Sequence, residues 1–497
     1  MRILEWLTGA RRGEIAQTLY SFLALFFLLL SYYLVKPLRN SQFLSSFDPN
    51  ILPLFYLITP IISLIVTKIF NHFCDRIPKY RLMVLTYFLL MACKLVFLVY
   101  LPLGGKVAMV IFYFWASVYF LLAVALLWSC INTIFSPDQG ERSFGFVALG
   151  GTIGNIFGAV VSSWIARSPF KDQALLVASL AMGAALGLIL LAIKTREAKQ
   201  DAVEHAPAQD QELSHRVSSR GWADLGELWI NRYIRGIAVM VFALALFNTV
   251  VDFQSQKMID TTYSESNYAR HFAWLQKPPA EGQAFLQNLR QMPVSEQRPA
   301  MHKFMSKTPA DAPRFEKAWK AYTDQKETDM RDFFSRTYTY QGILGAFLLL
   351  VISRLLFRHV GLRFSTLILP VFSLLVGLAL FFPLEIMVLQ VLMVVGGSLN
   401  YSLNNATKEL LYTVTSEDAR FKLKPLIEGP VMRFGDVSAS LIKLVLGFVL
   451  VNLLKSPTHY ADWLSLVLAL GVVAFWMVTI SYTGGHYDQL KRKKSSE

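Results

Sequence analysis

Two basic side chains near the end of the first apolar run are the leading candidates for chemistry. Lys36 and Arg39 lie three residues apart, next to Tyr33. In a helix that continues through Pro37, this spacing puts both cations on one face. An arginine fork and a lysine point charge together can bind phosphate or carboxylate oxygens. The alternative interpretation is a membrane anchor whose long side chains extend to lipid headgroups.

A second polar cluster interrupts the tenth apolar run. The amide of Asn404 can bond a nucleobase, a sugar or another helix. Lys408 and Glu409 follow it and can form a gate pair or contact a substrate. Alternatively, these two charges mark the cytoplasmic interface. Asn132, near the end of the fourth run, is a further candidate substrate contact.

Other positions are predicted to serve structure or gating. Arg433 and Asp436 are three residues apart, a spacing that favours a local ion pair. Lys94 and Lys443 stand isolated in apolar runs, and Lys94 either faces a cavity or snorkels. Small residues every fourth position allow close helix packing, and this pattern is formed by Gly150, Gly154 and Gly158.

Composition places these residues in a membrane protein. The chain has 497 residues, of which 54% are hydrophobic and 16% charged, whereas soluble domains carry about 25% charged residues. Only helices or closed barrels satisfy their backbone polar groups in hydrocarbon. The net charge of +14 lies largely in loops and tails, so we expect no nucleic-acid partner. Without a nucleotide-binding glycine loop, a zinc-protease motif or paired cysteines, we predict neither an enzyme nor a cofactor.

Apolar runs of helical length predict an all-α polytopic membrane protein with twelve transmembrane helices in two six-helix halves. The predicted helices are 15–35, 51–72, 82–101, 107–134, 144–166, 173–194, 231–251, 336–357, 364–382, 386–411, 426–454 and 461–482. The predicted divisions are a first half (1–194), a cytoplasmic linker (195–230), the helix 231–251, a polar insertion (252–335), and the remainder with its basic tail (336–497).

Loop charge predicts the orientation. Basic residues concentrate in the termini and the even-numbered connections, which the positive-inside rule assigns to the cytoplasm. We therefore expect both termini inside, in a bacterial inner membrane. The insertion 252–335 then lies in the periplasm as a small helical subdomain, helical over 311–334, with a flexible loop as the alternative. Such an insertion is a candidate docking site for a periplasmic partner.

Several runs then show a family resemblance. The runs VKPLRNSQF, NTIFSPDQGERSFGFVALGGTIG and NATKELLYTVTSEDARFKLKPLIEGPVMRFGD, together with VDFQSQK, resemble the ATP/ADP translocases of plastids and intracellular bacteria. Asp75-Arg76-Ile77-Pro78-Lys79 partly resembles the acidic-Arg loop signature of the major facilitator superfamily, which locks an inner gate.

The resemblance implies a major-facilitator-like fold and exchange of nucleotides such as ATP for ADP. It assigns Lys36 and Arg39 to the family's phosphate-binding pair and Glu409 to its acidic residue in helix ten. Pro37 and Thr133 stand where the family carries acidic residues. We therefore expect a small anionic substrate in a lipid bilayer. The substrate is a nucleotide or another organic anion such as a metabolite or siderophore, and an interaction protein using the insertion is a third interpretation.

Overall fold

The structure is a computed structural model of the full chain. It describes the chain except residues 1–4, 6, 7, 9, 12, 75, 78, 204–231, most of 273–311, 416–423, 425 and 497. Most of the predicted linker, the centre of the predicted insertion and Asp75 therefore lie outside the described residues.

The described chain is helical and contains no strand in the residues it covers. The helices are α1 (Ile15–Ser46), α2 (Leu52–Cys74), α3 (Lys79–Leu103), α4 (Gly105–Ile134), α5 (Pro137–Arg167), α6 (Ala174–Val203), α7 (Arg232–Phe272), α8 (Ala312–Phe347), α9 (Ser353–His359), α10 (Leu362–Ser365), α11 (Ile368–Ala379), α12 (Ile386–Leu399), α13 (Asn405–Thr413), α14 (Met432–Leu446) and α15 (Thr458–Ser496). Single 3₁₀ turns occupy Pro49–Ile51 and Lys171–Gln173.

Among the described residues twelve segments are long and apolar enough to cross a membrane, which confirms the predicted number of transmembrane helices. Helix α1 continues through Pro37 to Ser46, so it keeps the helical spacing of Lys36 and Arg39. The seventh and eighth helices were predicted too short, because α7 continues to Phe272 and α8 already begins at Ala312. Hydropathy marks where the apolar part of a helix stops, whereas these helices continue as polar, amphipathic extensions.

Those extensions pack together. Lys326 of α8, which is fully buried, forms an ion pair with Asp260 of α7. Asn267 Nδ2 donates to Asp329 Oδ2 at 3.1 Å. The rings of Phe272 and Phe315 lie 5.2 Å apart. The helix predicted over 311–334 is confirmed from residue 312 onward.

The chain forms two compact units that do not follow chain order. The N-terminal unit comprises Met1–Asp48, Ile61–Gln211 and Asp260–Gly342, and the C-terminal unit comprises Pro49–Pro60, Glu212–Ile259 and Ile343–Glu497. The outer parts of α7 and α8 thus belong to the N-terminal unit. The divisions predicted from the sequence, by contrast, follow the order of the chain.

In the N-terminal unit, α1 packs along α5 and α6. The three glycines of α5 make the first of these contacts possible. Cβ atoms at Gly150 and Gly154 would clash with the carbonyl oxygens of Phe22 and Phe26, and one at Gly158 would lie 2.7 Å from that of Leu30. Their predicted role in helix packing is confirmed.

The C-terminal unit is built from interrupted helices. Four π-helical segments occur in its described part, at Leu348–Ile352, Asn400–Asn404, Ile427–Val431 and Gly447–Leu453. A π turn inserts an extra residue into a helix and frees backbone carbonyls locally. Close packing also occurs here, since a Cβ at Gly435 of α14 would lie 2.7 Å from the Phe242 oxygen of α7.

Candidate functional site

Lys36 lies among tyrosine rings. Its Nζ is 4.1 Å from the centre of the Tyr338 ring, 5.3 Å from that of Tyr33 and 6.0 Å from that of Tyr32. A cation within about 6 Å of an aromatic face is attracted by the ring quadrupole. Lys36 is half-buried, so its ammonium group is held near this aromatic wall and still reaches solvent-accessible space.

Arg39 is positioned by neutral polar groups. Its Nη1 donates to Ser117 Oγ at 3.1 Å, and its Nε and Nη2 donate to Asn40 Oδ1 at 3.1 and 2.9 Å. The guanidinium lies 5.0 Å from the Tyr113 ring. Asn40 Nδ2 in turn donates to the Tyr338 hydroxyl at 3.1 Å. Tyr338 therefore contacts both Lys36 and the amide that orients Arg39.

The site thus includes residues that the sequence did not single out. Tyr113 and Ser117 come from α4, and Tyr338 comes from α8. Tyr338 lies close to the start of the eighth apolar run, and the sequence alone would assign an aromatic residue at that place to the membrane interface. Only the packing of α8 against α1 assigns its ring to Lys36.

The tyrosines continue into an aromatic wall. Tyr32 stacks on Phe120 with ring centres 3.6 Å apart and planes 16° apart. Trp115 stacks on Tyr119 at 4.7 Å and 9°. Tyr119 is fully buried, whereas Tyr32 and Phe120 are half-buried, so the Tyr32–Phe120 stack is the one with surface for a planar group of a ligand.

Lys94 is a third cation in this unit. It is fully buried, and its Nζ donates to Ser31 Oγ at 2.7 Å and to the Ala178 oxygen at 3.3 Å. It also lies 4.9 Å from the Tyr119 ring. Within the described chain no carboxylate pairs with Lys94. Of the two predicted alternatives, snorkelling is wrong, because the ammonium group is enclosed by α1, α4 and α6.

Asn132 is separated from Lys36 and Arg39. The stretch from Ser117 to Asn132 covers ~22 Å of α4 at the α-helical rise. Asn132 and Thr133 are both exposed, and the Thr133 hydroxyl donates to the Cys130 oxygen at 2.7 Å. The structure therefore does not bring Asn132 to the two cations.

The cluster near the tenth membrane span belongs to the C-terminal unit. Asn404 is buried and donates to Asn400 Oδ1 at 3.3 Å within a π segment. Lys408 pairs with Glu428 at 3.0 Å, and Glu409 pairs with Lys424 at 2.7 Å. Lys408 and Glu409 are thus not paired with each other, because adjacent helical residues point in different directions.

The predicted ion pair of α14 is present. Arg433 Nη1 lies 3.2 Å from Asp436 Oδ2, and Thr249 of α7 donates to the other Asp436 oxygen at 2.9 Å. Arg76, from the predicted gate loop, is exposed, and its neighbour Asp75 is outside the described residues.

Lys443 is not isolated, so that prediction was wrong. It forms an ion pair with Asp462 at the start of α15, and Lys257 of α7 contacts the other Asp462 oxygen at 2.5 Å. The shared carboxylate comes from a different helix, which no spacing rule along α14 reveals. Lys257 lies in the VDFQSQK run that carries part of the family resemblance.

Comparisons with known proteins agree with this architecture. Residues 314–487 match the family described as TLC ATP/ADP transporter. A crystal structure of the nucleoside transporter NupG aligns with a TM-score of 0.53 and 15% identity, covering 94% of this chain and 100% of that one. An auto-inhibited POT family peptide transporter aligns with a TM-score of 0.51 and 14% identity, covering 95% and 96%. No curated protein sequence matches.

At such identities the solved structures establish the fold alone, and the family match covers the chain from early α8 to α15. The predicted resemblance and the predicted major-facilitator-like fold are confirmed. The chain is a multi-pass membrane protein with a major-facilitator-like fold, and its residues 314–487 match the TLC ATP/ADP transporter family.

Proposed function

We propose that this protein transports a nucleotide of the ATP/ADP type across a bacterial inner membrane by alternating access, as an antiporter. The observation that carries the proposal is the connected group of Lys36, Arg39, Asn40 and Tyr338, which combines two cations with aromatic surface. The family match of residues 314–487 supports the choice of a nucleotide.

The contacts indicate how a nucleotide binds. Phosphate oxygens accept charge-assisted hydrogen bonds from Lys36 and Arg39. A cation–π contact contributes about 0.5–2 kcal/mol, so phosphates can displace the Tyr338 ring from the ammonium group. The half-buried ring of Tyr32 then offers stacking surface to the base, and such stacking is worth ~1–3 kcal/mol per base in nucleic-acid complexes.

Electrostatics favours exchange over one-way transport. Moving one elementary charge across 100 mV involves about 2.3 kcal/mol, and a nucleotide carries several charges. Exchange of two anions cancels most of that movement. The pair Lys424–Glu409, with side chains 29% and 56% exposed, is suited to close and open one end of the pathway, because ion pairs near the surface break at little cost. The pair Lys408–Glu428 is more buried, at 16% and 31%.

The proposed orientation of the chain in the membrane follows from the charges of its loops. Arg358 and Arg363 flank the connection between α9 and α10, and both are exposed. The positive-inside rule assigns this connection, the termini and the linker to the cytoplasm. Labelling of a cysteine placed at the exposed position His359, compared with one placed in 273–311, in intact cells tests this orientation.

Uptake into proteoliposomes tests the substrate. Purified protein is reconstituted in vesicles loaded with ADP, and entry of labelled ATP is followed. We expect saturable uptake that falls about 10- to 100-fold in kcat/KM with Lys36→Gln or Arg39→Gln, since hydrogen bonds to charged groups contribute ~1.5–3 kcal/mol. Lys106→Gln, which changes an exposed lysine at the start of α4, serves as the matched control.

The result that contradicts the proposal is folded protein without saturable uptake of any nucleotide. Uptake that is equal in vesicles with and without internal ADP contradicts antiport alone. Equal uptake by Lys36→Gln and the native protein contradicts the phosphate role of Lys36.

A second candidate is transport of another organic anion through the same site. Thr133 favours it, because the hydroxyl of an exposed threonine occupies the position of a family carboxylate and bonds only its own helix. Thermal-shift measurements with a panel of nucleotides and non-nucleotide anions separate the two, since a ligand of the folded state raises the melting temperature. Stabilisation by a non-nucleotide anion alone favours this second function.

A further inference from the structure

One segment of α8 follows the end of the N-terminal unit at which α1 and α5 stop. These two helices run parallel, because successive glycines of α5 approach first Phe22 and later Leu30 of α1. Their last residues, Ser46 and Arg167, therefore lie at the same end of the unit. Residues 324–338 of α8, here named the strap, contact this end over about four helical turns.

The strap is joined to α5 by hydrogen bonds and an ion pair. Ser335 Oγ donates to Ser162 Oγ at 3.0 Å, and both side chains are fully buried. Asp332 accepts a hydrogen bond from Ser163 and pairs with Arg167 at 2.5 Å. The Arg167 side chain is 54% exposed, so this ion pair borders water, which can hydrate both charges when they separate.

The strap also contacts α1 and the 3₁₀ turn before α6. Gln42 Nε2 donates to Glu327 Oε1 at 3.3 Å, and Arg331 Nη1 donates to the Lys171 oxygen at 2.8 Å. Arg331 is 2% exposed, yet within the described chain its Nε and Nη2 atoms have no hydrogen-bond partner. A buried donor without a partner is costly. Release of the strap would hydrate these atoms, which favours opening.

The last turn of the strap reaches the candidate site. The Tyr338 ring lies 4.1 Å from Lys36 Nζ, and its hydroxyl accepts a hydrogen bond from Asn40 Nδ2 at 3.1 Å. Asn40 Oδ1 in turn accepts two hydrogen bonds from Arg39. A phosphate that binds both cations competes with exactly these contacts of Tyr338 and Asn40. Because a ligand shifts an equilibrium toward the state that it binds better, an occupied site loosens the strap.

From these contacts we propose that the strap is a releasable closure of the periplasmic end of the pathway, and that substrate phosphate releases it through Tyr338. This inference rests on the proposed function, since it needs a phosphate at Lys36. The strap moves together with the outer part of α7, to which the buried Lys326–Asp260 ion pair joins it. The alternative is a strap that is a permanent part of the N-terminal unit.

A disulfide crosslink tests whether the strap must move. Ser162→Cys combined with Ser335→Cys puts two sulfur atoms where hydroxyls lie 3.0 Å apart, within reach of a disulfide bond of about 2.0 Å. The full-length double variant is reconstituted, oxidised with copper–phenanthroline and assayed for ATP/ADP exchange. We expect oxidation to lower exchange at least ~10-fold, because a locked closure stops turnover, and reduction to restore it. Each single-cysteine variant, treated with the same oxidant, is the matched control and also covers the native cysteines.

The rate of disulfide formation tests the link to the substrate. ADP should slow the crosslinking of the double variant, and the added substitution Lys36→Gln should remove this effect of ADP. Crosslinking that is indifferent to ADP, in a protein that exchanges nucleotides, overturns release through Tyr338. Full exchange by protein whose disulfide is confirmed by mass spectrometry overturns the closure itself and identifies a permanent contact.

A third measurement does not depend on transport. Ser117→Cys, beside Arg39, is labelled in intact cells with a membrane-impermeant thiol reagent. Asp332→Asn weakens the contact with α5 and should speed this labelling ~10-fold, since hydrogen bonds to a charged group are lost. Lys320→Gln, an exposed position of the same helix, should leave the rate unchanged. Native protein without nucleotide exchange contradicts the proposed function, and equal labelling of the Asp332→Asn and Lys320→Gln variants then overturns the closure as well.

Discussion

The two units hold their membrane-embedded cations in different ways. In the N-terminal unit, Lys94 is enclosed by a hydroxyl, a carbonyl, a thioether and a tyrosine ring, and Lys36 lies against tyrosines. In the C-terminal unit, Lys443 shares Asp462 with Lys257, and Arg433 pairs with Asp436. In the C-terminal unit each of these cations contacts a carboxylate, with two lysines sharing Asp462, whereas the described contacts of Lys94 are with neutral groups. This difference supports the proposed anion site around α1, and the Lys443–Asp462–Lys257 group joins three helices of the C-terminal unit.

The regularity of the backbone also differs between the two units. Helix α1 is continuous for 32 residues and packs against glycines of α5. The spans Ile386–Thr413 and Ile427–Val451 of the C-terminal unit contain π segments, which recur at functional sites and hinges. We infer that the N-terminal unit offers a rigid binding face and that shape changes are easier in the C-terminal unit.

The largest expected effect is the loss of the shared carboxylate. Asp462→Asn leaves Lys443, whose side chain is 11% exposed, without its acidic partner. Removing one member of a buried pair costs about 3–5 kcal/mol, so we expect a marked fall in the melting temperature of the detergent-solubilised protein. Adding Lys443→Met to Asp462→Asn should restore much of that loss, and no restoration would contradict the assigned pairing.

A smaller loss is expected from closing the α1–α5 contact. Gly154→Ala places a Cβ against the Phe26 carbonyl oxygen, so the helices must move apart. Overpacking of this kind costs ~1–3 kcal/mol. Gly187→Ala in α6 is the control, because a Cβ there meets nothing within 4 Å. Thermal unfolding of the two variants compares them, and equal melting temperatures would show that α1 and α5 are not in close contact.

The same substitution should act differently in the two units. Lys94→Met replaces a buried ammonium that no described carboxylate neutralises, and the Ser31 hydroxyl keeps its bond to the Ala178 oxygen at 2.6 Å. We expect stability within ~1 kcal/mol of the native protein, or above it. Lys443→Met, which takes a partner from Asp462, should lower stability by ~1–3 kcal/mol. Equal losses of stability for Lys94→Met and Lys443→Met, measured by thermal unfolding, would contradict the difference between the two units.

The smallest effect concerns a pair before the first span. Burial alone would raise the pKa of Glu14, but the Arg11 backbone N–H, Arg142 and Gln139 hold that pKa below its ordinary value of 4.5. Arg142 Nη2 lies 3.2 Å from the carboxylate. The stabilisation is therefore present above about pH 4.5 and is lost as the pH falls through the folded pKa.

Glu14→Gln should cost ~0.2–1 kcal/mol at pH 7. Its difference in melting temperature from the native protein should shrink as the pH is lowered below about 4.5. Glu5→Gln, nearby in the same N-terminal segment, provides the control. A difference that stays constant with pH would exclude the ion pair as its cause.

Particular residues show which contacts can be predicted from the sequence. The spacing of Lys36 and Arg39, the packing glycines of α5 and the Arg433–Asp436 pair were all accessible, because each depends on the period of a single helix. Tyr338, Ser117 and Asp462 were not accessible. Each meets its partner through packing between helices distant in sequence or, for Asp462, across a turn. The spacing of residues along one helix does not reveal such contacts.

The sequence by itself determined twelve membrane helices and a family resemblance, because the bilayer enforces long apolar segments whose backbone bonds are internal. Helix packing alone decided the surroundings of each charge. It placed tyrosines around Lys36, enclosed Lys94 with neutral groups and gave Lys443 a carboxylate from α15. The physical reason is that the environment of a charge at membrane depth depends on neighbouring helices, and their register is fixed only when the whole unit folds.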